Sequence, residues 1–415
     1  MRWVMMAAKQ TMAAGRWLSV IGIGEDGLDG LGAEARRRIS EAEIVFGGKR
    51  HLALAAAEIK GESKIWPSPF DSQLREVLAL RGRKICVLAS GDPFLHGVGA
   101  TLANYVPTSE MQTIPAPSAF SLAASRLGWA LPDVETVSLH GKAISLIRPL
   151  LHPGTRILAL TSDSNAPGKI ANYLTELGFG PSLLTVLEAL GGPDEQLQTM
   201  RAHAVKSEKF NPLNVLAVEV ASEAANELTP LSPGLAESLF EHDGQITKRE
   251  IRAVTISSLA PLRGELLWDI GAGSGSIAIE WMLRHPSMRA IAIEAAEERA
   301  DRIRLNADTL GVPGLVVVKG TAPEALAGLQ PPDAIFVGGG GSETGVMDAA
   351  LDALKPGGRL VANAVTLEME AMLIAKQATL GGELIRIAVS RSAPVGTMTG
   401  WRPAMPVTQW IWRKP

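Results

Sequence analysis

The chain has 415 residues, 46% of them hydrophobic and 20% charged, enough for two or three domains each with its own core. A formal net charge of -3 gives no electrostatic reason to expect nucleic acid or an anionic membrane as a partner. The lone cysteine, Cys86, excludes an internal disulfide and any multi-cysteine metal site, which suits a reducing cytoplasm; no metal is expected.

Met1 to Gly15 is interrupted by Lys9 and Gln10 before an apolar signal-peptide core can form, and it reads as a disordered tail. No run of about 18 uninterrupted apolar residues follows, so no membrane-spanning helix is expected. From Arg16, short apolar runs alternate with amphipathic segments. Strands are predicted at Trp17–Ile21, Ile44–Phe46, Lys84–Leu88, Met111–Ile114, Val134–Leu139, Arg156–Leu160, Leu183–Leu187 and Leu213–Val220. The alternation predicts mostly parallel sheets closed by right-handed crossovers. The Cys86 thiol, inside an apolar strand, reads as core rather than nucleophile.

The apolar rhythm lapses over Ala221–Gly234, where two prolines and several small residues mark a domain boundary. The predicted organisation is a first domain at 16–222, a linker at 223–240 and a second domain at 241–415. Thr247–Leu259 is predicted as a leading helix. Strands follow at Leu266–Ile270, Ala290–Ile293, Leu315–Val318, Ala334–Val337 and Arg359–Ala362, with Glu383–Val389 and Pro406–Trp412 as an antiparallel edge pair.

The stretch Leu266–Met282 carries the clearest chemistry. An apolar strand ends at Asp269, the loop Gly271-Ala272-Gly273-Ser274-Gly275 follows, and a helix begins. Glycines there let the backbone approach a ligand, and the helix start offers free N–H groups. A dinucleotide fingerprint requires a glycine where Ser276 stands. The Asp-x-Gly-x-Gly-x-Gly pattern instead fits a methyltransferase loop for S-adenosylmethionine. Glu294, ending the next strand, is placed to accept hydrogen bonds from both ribose hydroxyls. In the first domain, Gly22-Ile-Gly-Glu-Asp-Gly27 fits the dinucleotide template literally. Its second strand, however, ends in Phe46-Gly47-Gly48 with no acid for a ribose. An NAD(P)-dependent two-domain dehydrogenase and a S-adenosylmethionine-binding regulatory protein are the competing readings.

Val20–Gly24, Ala89–Gly99 and Pro115–Ala124 together resemble the tetrapyrrole methylase family, and the resemblance continues through Ser138–Gly141, Glu188–Glu195 and Asn211–Asn214. It departs at Glu25-Asp26, where that family usually has Gly-Pro. The resemblance implies a two-lobed (class III) α/β fold holding S-adenosylmethionine, with contacts at Gly22, Gly24, Gly91, Asp92 and Ser118. From the residues alone, Asp92 serves equally as a ligand acceptor or a cap of its own turn, and Ser118 as a ligand contact or a helix cap.

From Glu241 onward, His242–Arg252, the Gly271 loop, Lys319–Glu324, Val337–Gly341, Leu354–Arg359 and Gly396–Met398 resemble the decarboxylating methyltransferase domain of corrin biosynthesis. This implies a Rossmann-like (class I) S-adenosylmethionine methyltransferase fold, with donor contacts from Thr247, Gly271, Ala272, Gly273, Ser274, Gly275, Glu294 and Ala322; Asp269, the acid of the loop motif, is added to them from the residue pattern. Thr247 serves equally as a cap for the leading helix, and Ala322 as part of a turn before Pro323. The two resemblances in this order imply two donor sites and one small-molecule tetrapyrrole substrate. The chemistry implied is methylation at carbons 5 and 15 with loss of CO₂ from the ring C acetate. Arg391 and Arg402 are the candidates for holding substrate carboxylates. A homo-oligomer is expected.

Overall fold

Three α/β sheets and one isolated hairpin account for the strands of this computed structural model, which describes residues 15–66, 71–205, 209–224, 226 and 228–415. All but the last residue of the stretch read as a tail lie outside them. The chain divides into two units. One holds the residues up to Lys142 together with Pro153–Asn226, the other Ala143–His152 together with Glu227–Pro415.

The first sheet of the first unit contains β1 (Leu18–Ile23), β2 (Ile44–Gly47), β3 (Glu62–Ile65), β4 (Ile85–Ser90) and β5 (Met111–Ile114) in the order β3-β2-β4-β1-β5, all parallel. Its central strands are apolar on both faces because helices cover both. Leu18 and Val20 pack with Phe46 and Val87, whereas Ile21 and Ile23 pack with Ile39, Cys86 and Leu88 on the other side. Cys86 is thus core, and burial pushes its thiol pKa up, away from nucleophilic use.

The second sheet holds β6 (Glu135–Ser138), β7 (Arg156–Leu160), β8 (Leu183–Glu188), β9 (Gln196–Arg201) and β10 (Asn214–Glu219) in the order β6-β7-β10-β8-β9. The expectation of a mostly parallel sheet fails here. Only β6 and β7 run parallel, while β10 pairs antiparallel with both β7 and β8, and β8 with β9. The short β8–β9 connection explains part of this, since a parallel neighbour needs a long crossover.

The sheet of the second unit runs β13-β12-β11-β14-β15-β19-β16. Its strands are β11 (Leu266–Ile270), β12 (Arg289–Glu294), β13 (Val316–Lys319), β14 (Ala334–Val337), β15 (Arg359–Ala364), β16 (Glu383–Ile387) and β19 (Val407–Arg413). The first five are parallel, and β19 and β16 add antiparallel, as expected for the edge pair. Between β16 and β19 the chain makes a separate hairpin of β17 (Ser390–Val395) and β18 (Met398–Pro403). From β11 the chain steps outward through β12 and β13, then returns to the other side with β14. That reversal opens a crevice at the strands' carboxyl ends. Within the stretch 223–240, Leu235 and Phe240 are buried in this unit's core.

Candidate functional site

A cavity of about 750 Å³ occupies that crevice. Its floor depends on one backbone approach. Gly271 has φ +71°, and a Cβ there would lie 2.3 Å from the Gly339 carbonyl oxygen, so the loops after β11 and β14 meet this closely because Gly271 carries no side chain. The N–H groups of Gly271 and Ala272 donate to the Ile293 carbonyl at 3.0 and 3.1 Å, tying the same loop to β12.

Glu294 ends β12 with only 6% of its surface exposed, and it lines the cavity. Its Oε2 accepts from the Gly273 N–H at 2.8 Å and its Oε1 from the Ala296 N–H at 3.0 Å. A carboxylate has about four acceptor positions, so two remain for ligand hydroxyls. Ser274 also lines the cavity; its hydroxyl is buried without a protein partner. An orphaned hydroxyl beside a glycine cradle is what a polar ligand would complete.

Thr247, Gly271, Ala272, Gly273, Ser274, Glu294 and Ala322 all line this cavity; Asp269 and Gly275 do not. Asp269 is fully buried beneath the loop, and its Oδ2 accepts from the Ala278 N–H at 3.0 Å, fastening the start of the helix Ser276–Met282. Burial drives its carboxyl pKa up to about 7; the Ala278 bond opposes the rise and the Glu294 charge adds to it. Gly275, at φ +76°, leaves no room for a Cβ, which would sit 2.7 Å from Ile303 Cγ2. Its task is to let the helix Glu297–Thr309 pack closely.

Thr247 is not a helix cap. The helix is Arg249–Leu259 with Lys248 before it, and the Thr247 carbonyl instead accepts from the Arg252 guanidinium. Arg252 and Glu280 form a fully buried ion pair at 2.7 Å, and Glu280 also accepts from the Gly234 and Leu235 N–H groups. Sequence reasoning missed this pair, although an acid inside Ile277-Ala-Ile-Glu-Trp281 was a visible anomaly in an apolar segment. Arg391 lines the cavity, held by Glu250 at 2.5 Å and Glu237 at 3.6 Å. Arg402 lies outside the lining but stands opposite Arg391 in the β17–β18 register. Asn363, Phe336 and Glu250 also line it and were not anticipated.

Residues 18–205 match the family of tetrapyrrole (corrin/porphyrin) methylases, and residues 238–414 match the precorrin methyltransferase domain family. Over 398 residues, 96% of both chains, the protein is 60% identical to a precorrin-6Y C(5,15)-methyltransferase [decarboxylating] from Sinorhizobium sp. The chain belongs to the precorrin-6Y C(5,15)-methyltransferase (decarboxylating) family. Its relative in Mycobacterium tuberculosis (strain ATCC 25618 / H37Rv), of the same name, is 40% identical over 394 residues, 94% of this chain and 98% of that one. The solved C-terminal domain of precorrin-6Y C5,15-methyltransferase from Rhodobacter capsulatus is 48% identical, with a TM-score of 0.43, covering 45% of this chain and 100% of that one.

As a member of the precorrin-6Y methyltransferase family the chain is an enzyme, and its tetrapyrrole methylase part has its own cluster of loops. A Cβ on Gly22 would fall 1.8 Å from the Gly91 carbonyl oxygen and 2.6 Å from the Ala116 nitrogen, so the ends of β1, β4 and β5 meet backbone to backbone. The Gly91 N–H donates to Ile23 and its carbonyl accepts from Ala116, both at 3.1 Å. Gly24 sits beside the Asp26 carboxylate, 2.6 Å from where its Cβ would be. Asp92 Oδ1 accepts from the Phe94 N–H at 2.8 Å, so it does cap its own turn. Ser118 Oγ accepts from the Ser121 N–H at 3.0 Å and caps the helix Ala119–Leu127. Glu25, where the tetrapyrrole methylases usually have glycine, is paired with Arg50 and lies against Gly192 of the second lobe. No helix among the described residues is long and apolar enough to cross a membrane.

Proposed function

We propose that the enzyme methylates precorrin-6Y at carbons 5 and 15 and removes the carboxyl of the ring C acetate as CO₂, giving precorrin-8 in cobalamin biosynthesis. The observation that carries this reading is the identity of 60% across 96% of the chain, which spans both the tetrapyrrole methylase part and the glycine-loop part. On this reading the second domain methylates carbon 15 and decarboxylates, the first methylates carbon 5, and each has its own S-adenosylmethionine site.

S-adenosylmethionine supplies an electrophilic methyl group on a sulfonium. The residues lining the cavity of the second domain suit it. Glu294 has free acceptor positions that would take the ribose hydroxyls, the backbone of Gly271–Ser274 would hold the adjoining atoms, and Ala322, which lines the same cavity, would lie beside the adenine. In the first domain, Gly22 and Gly24 at the end of β1 and Gly91 at the end of β4 keep those two ends free of side chains. Asp92 and Ser118 have acceptor capacity beyond the turns they cap.

The meso carbons of the reduced macrocycle are enamine-like nucleophiles, so the protein supplies alignment and water exclusion rather than a strong base. The glycines Gly338–Gly340 border the cavity and leave space beside the donor for a large ring. As the bond to CO₂ breaks, its electron pair passes into the conjugated imines of the macrocycle and a proton is taken up, so the acetate becomes a methyl group. Arg402 draws a peripheral carboxylate to the mouth, beside Arg391, which Glu250 and Glu237 hold in place. Joining the two activities in one chain raises the effective concentration for hand-over of an unstable intermediate.

Mass spectrometry of the product formed from precorrin-6Y and S-adenosylmethionine tests the reading. It requires two methyl groups gained and one CO₂ lost; a product with unchanged mass overturns it.

A further inference from the structure

The hairpin Ser390–Pro403 stands apart from the seven-stranded sheet, yet both of its roots reach the cavity. Val389 and Arg391 line it on the way in, Ala404 and Met405 on the way out. Side chains alternate across a strand, and directly opposed residues share a face. Arg391 pairs with Arg402, Ala393 with Gly400 and Val395 with Met398, so these six lie on one face. The position of Val395 agrees, because a Cβ on Gly400 would lie 3.0 Å from Val395 Cγ2. Ser392, Pro394, Thr399 and Trp401 lie on the other face.

The face bearing Arg391 has a distinct order. Two guanidiniums stand opposite each other at the root, an arrangement that is unfavourable unless an anion lies between or beside them. Glu250 and Glu237 neutralise Arg391, while Arg402 has no ion pair among the described residues. Toward the tip the same face becomes apolar, with Val395 65% exposed and Met398 77% exposed. Cations at the root that borders the cavity, followed by an apolar shelf toward the tip, match a flat macrocycle carrying carboxylates on its rim.

Resting on the functional reading above, we infer that this face of the β17–β18 hairpin is a clasp for the tetrapyrrole acid. Arg402 takes a peripheral carboxylate, and Val395 and Met398 cover the ring held at the cavity mouth. The ion pair between Arg391 and Glu250 anchors the clasp to the helix Arg249–Leu259.

The test uses the full-length protein, precorrin-6Y and two variants: Val395→Ser with Met398→Ser on the clasp face, and Trp401→Ser on the opposite face. All three positions are exposed, so the fold survives either change. For the carbon-15 methylation, the clasp-face variant raises the KM for precorrin-6Y about tenfold or more, from the lost apolar cover. Its affinity for S-adenosylmethionine and its mass by light scattering stay as in the wild type, and Trp401→Ser leaves KM unchanged. An unaltered KM in the clasp-face variant overturns the inference. So does an equal rise in both variants. A fall in mass, with or without a change in KM, also overturns it, since the face then covers a second copy of the chain. Wild-type protein that leaves precorrin-6Y unmethylated defeats the functional reading itself and the clasp with it, whereas an active wild type with an unaffected variant defeats the clasp alone.

Discussion

The backbone N–H of Gly273 donates to the Glu294 carboxylate across 2.8 Å, so the glycine loop after β11 and the acid ending β12 are one rigid piece. Its remaining acceptor positions face the cavity already oriented, and a ligand with two hydroxyls meets them at little cost in order.

Glu294→Ala removes both the ligand acceptors and the brace on Gly273. Hydrogen bonds to a charged group contribute about 1.5–3 kcal/mol each, so donor binding in the second domain weakens about a hundredfold or more. With precorrin-6Y the variant yields a product carrying one added methyl group and its full set of carboxyls. A doubly methylated, decarboxylated product at the wild-type rate counts against the assignment of Glu294.

The two loop glycines differ in consequence. Alanine at Gly271 meets the Gly339 carbonyl oxygen at 2.3 Å as well as an unfavourable φ of +71°, whereas at Gly273, φ +59°, the nearest atom is 3.6 Å away. Gly273→Ala costs about 1–2 kcal/mol from the backbone alone. Gly271→Ala costs more than that and lowers the thermal midpoint further. Equal midpoints for the two variants would show that the close approach of the loops does not matter.

Much of this architecture is legible in the sequence, and the illegible parts share a cause. The run Leu266–Ile270 ending in an acid and glycines announces its strand, loop and helix because burial on both faces forces an apolar stretch. β3 (Glu-Ser-Lys-Ile) and β9 (Gln-Leu-Gln-Thr-Met-Arg) escape notice because each is a mostly exposed edge strand without an apolar signature. The β17–β18 hairpin escapes for the same reason, being almost wholly exposed. Asp269 looked like a ligand contact because it precedes the loop, but the strand's alternation turns it into the core. Buried charges such as Arg252 and Glu280 are visible only as polar letters in apolar helices; their partner is set by the fold.

That pair gives a third prediction. Arg252→Met leaves the Glu280 carboxylate fully buried with only the Gly234 and Leu235 N–H groups as partners. Breaking one side of such a pair costs about 3–5 kcal/mol. Denaturant melting should show this loss in Arg252→Met and a partial recovery in the double variant with Glu280→Gln. A single variant as stable as the wild type speaks against the pairing.

Asp269 gives a pH signature. Its carboxyl titrates near 7 in the fold, above its ordinary value of 3.8, so the folded chain keeps a proton that the unfolded chain has already released. Its contribution to stability is complete below about pH 4 and is lost as pH rises toward 7, by roughly 3–4 kcal/mol. In Asp269→Asn, which retains an acceptor for Ala278, that loss disappears, so the variant gains on the wild type steadily between those limits. Parallel stability curves for the two proteins across that range would contradict the assignment.

The double-headed reading meets its most direct test in a calorimetric titration of the full-length protein with S-adenosylmethionine. Two equivalents bound per chain, falling to one in Glu294→Ala, is the predicted result. One equivalent per chain in the wild type, abolished by Glu294→Ala, would mean that the tetrapyrrole methylase part holds no donor and that a single site serves the chain.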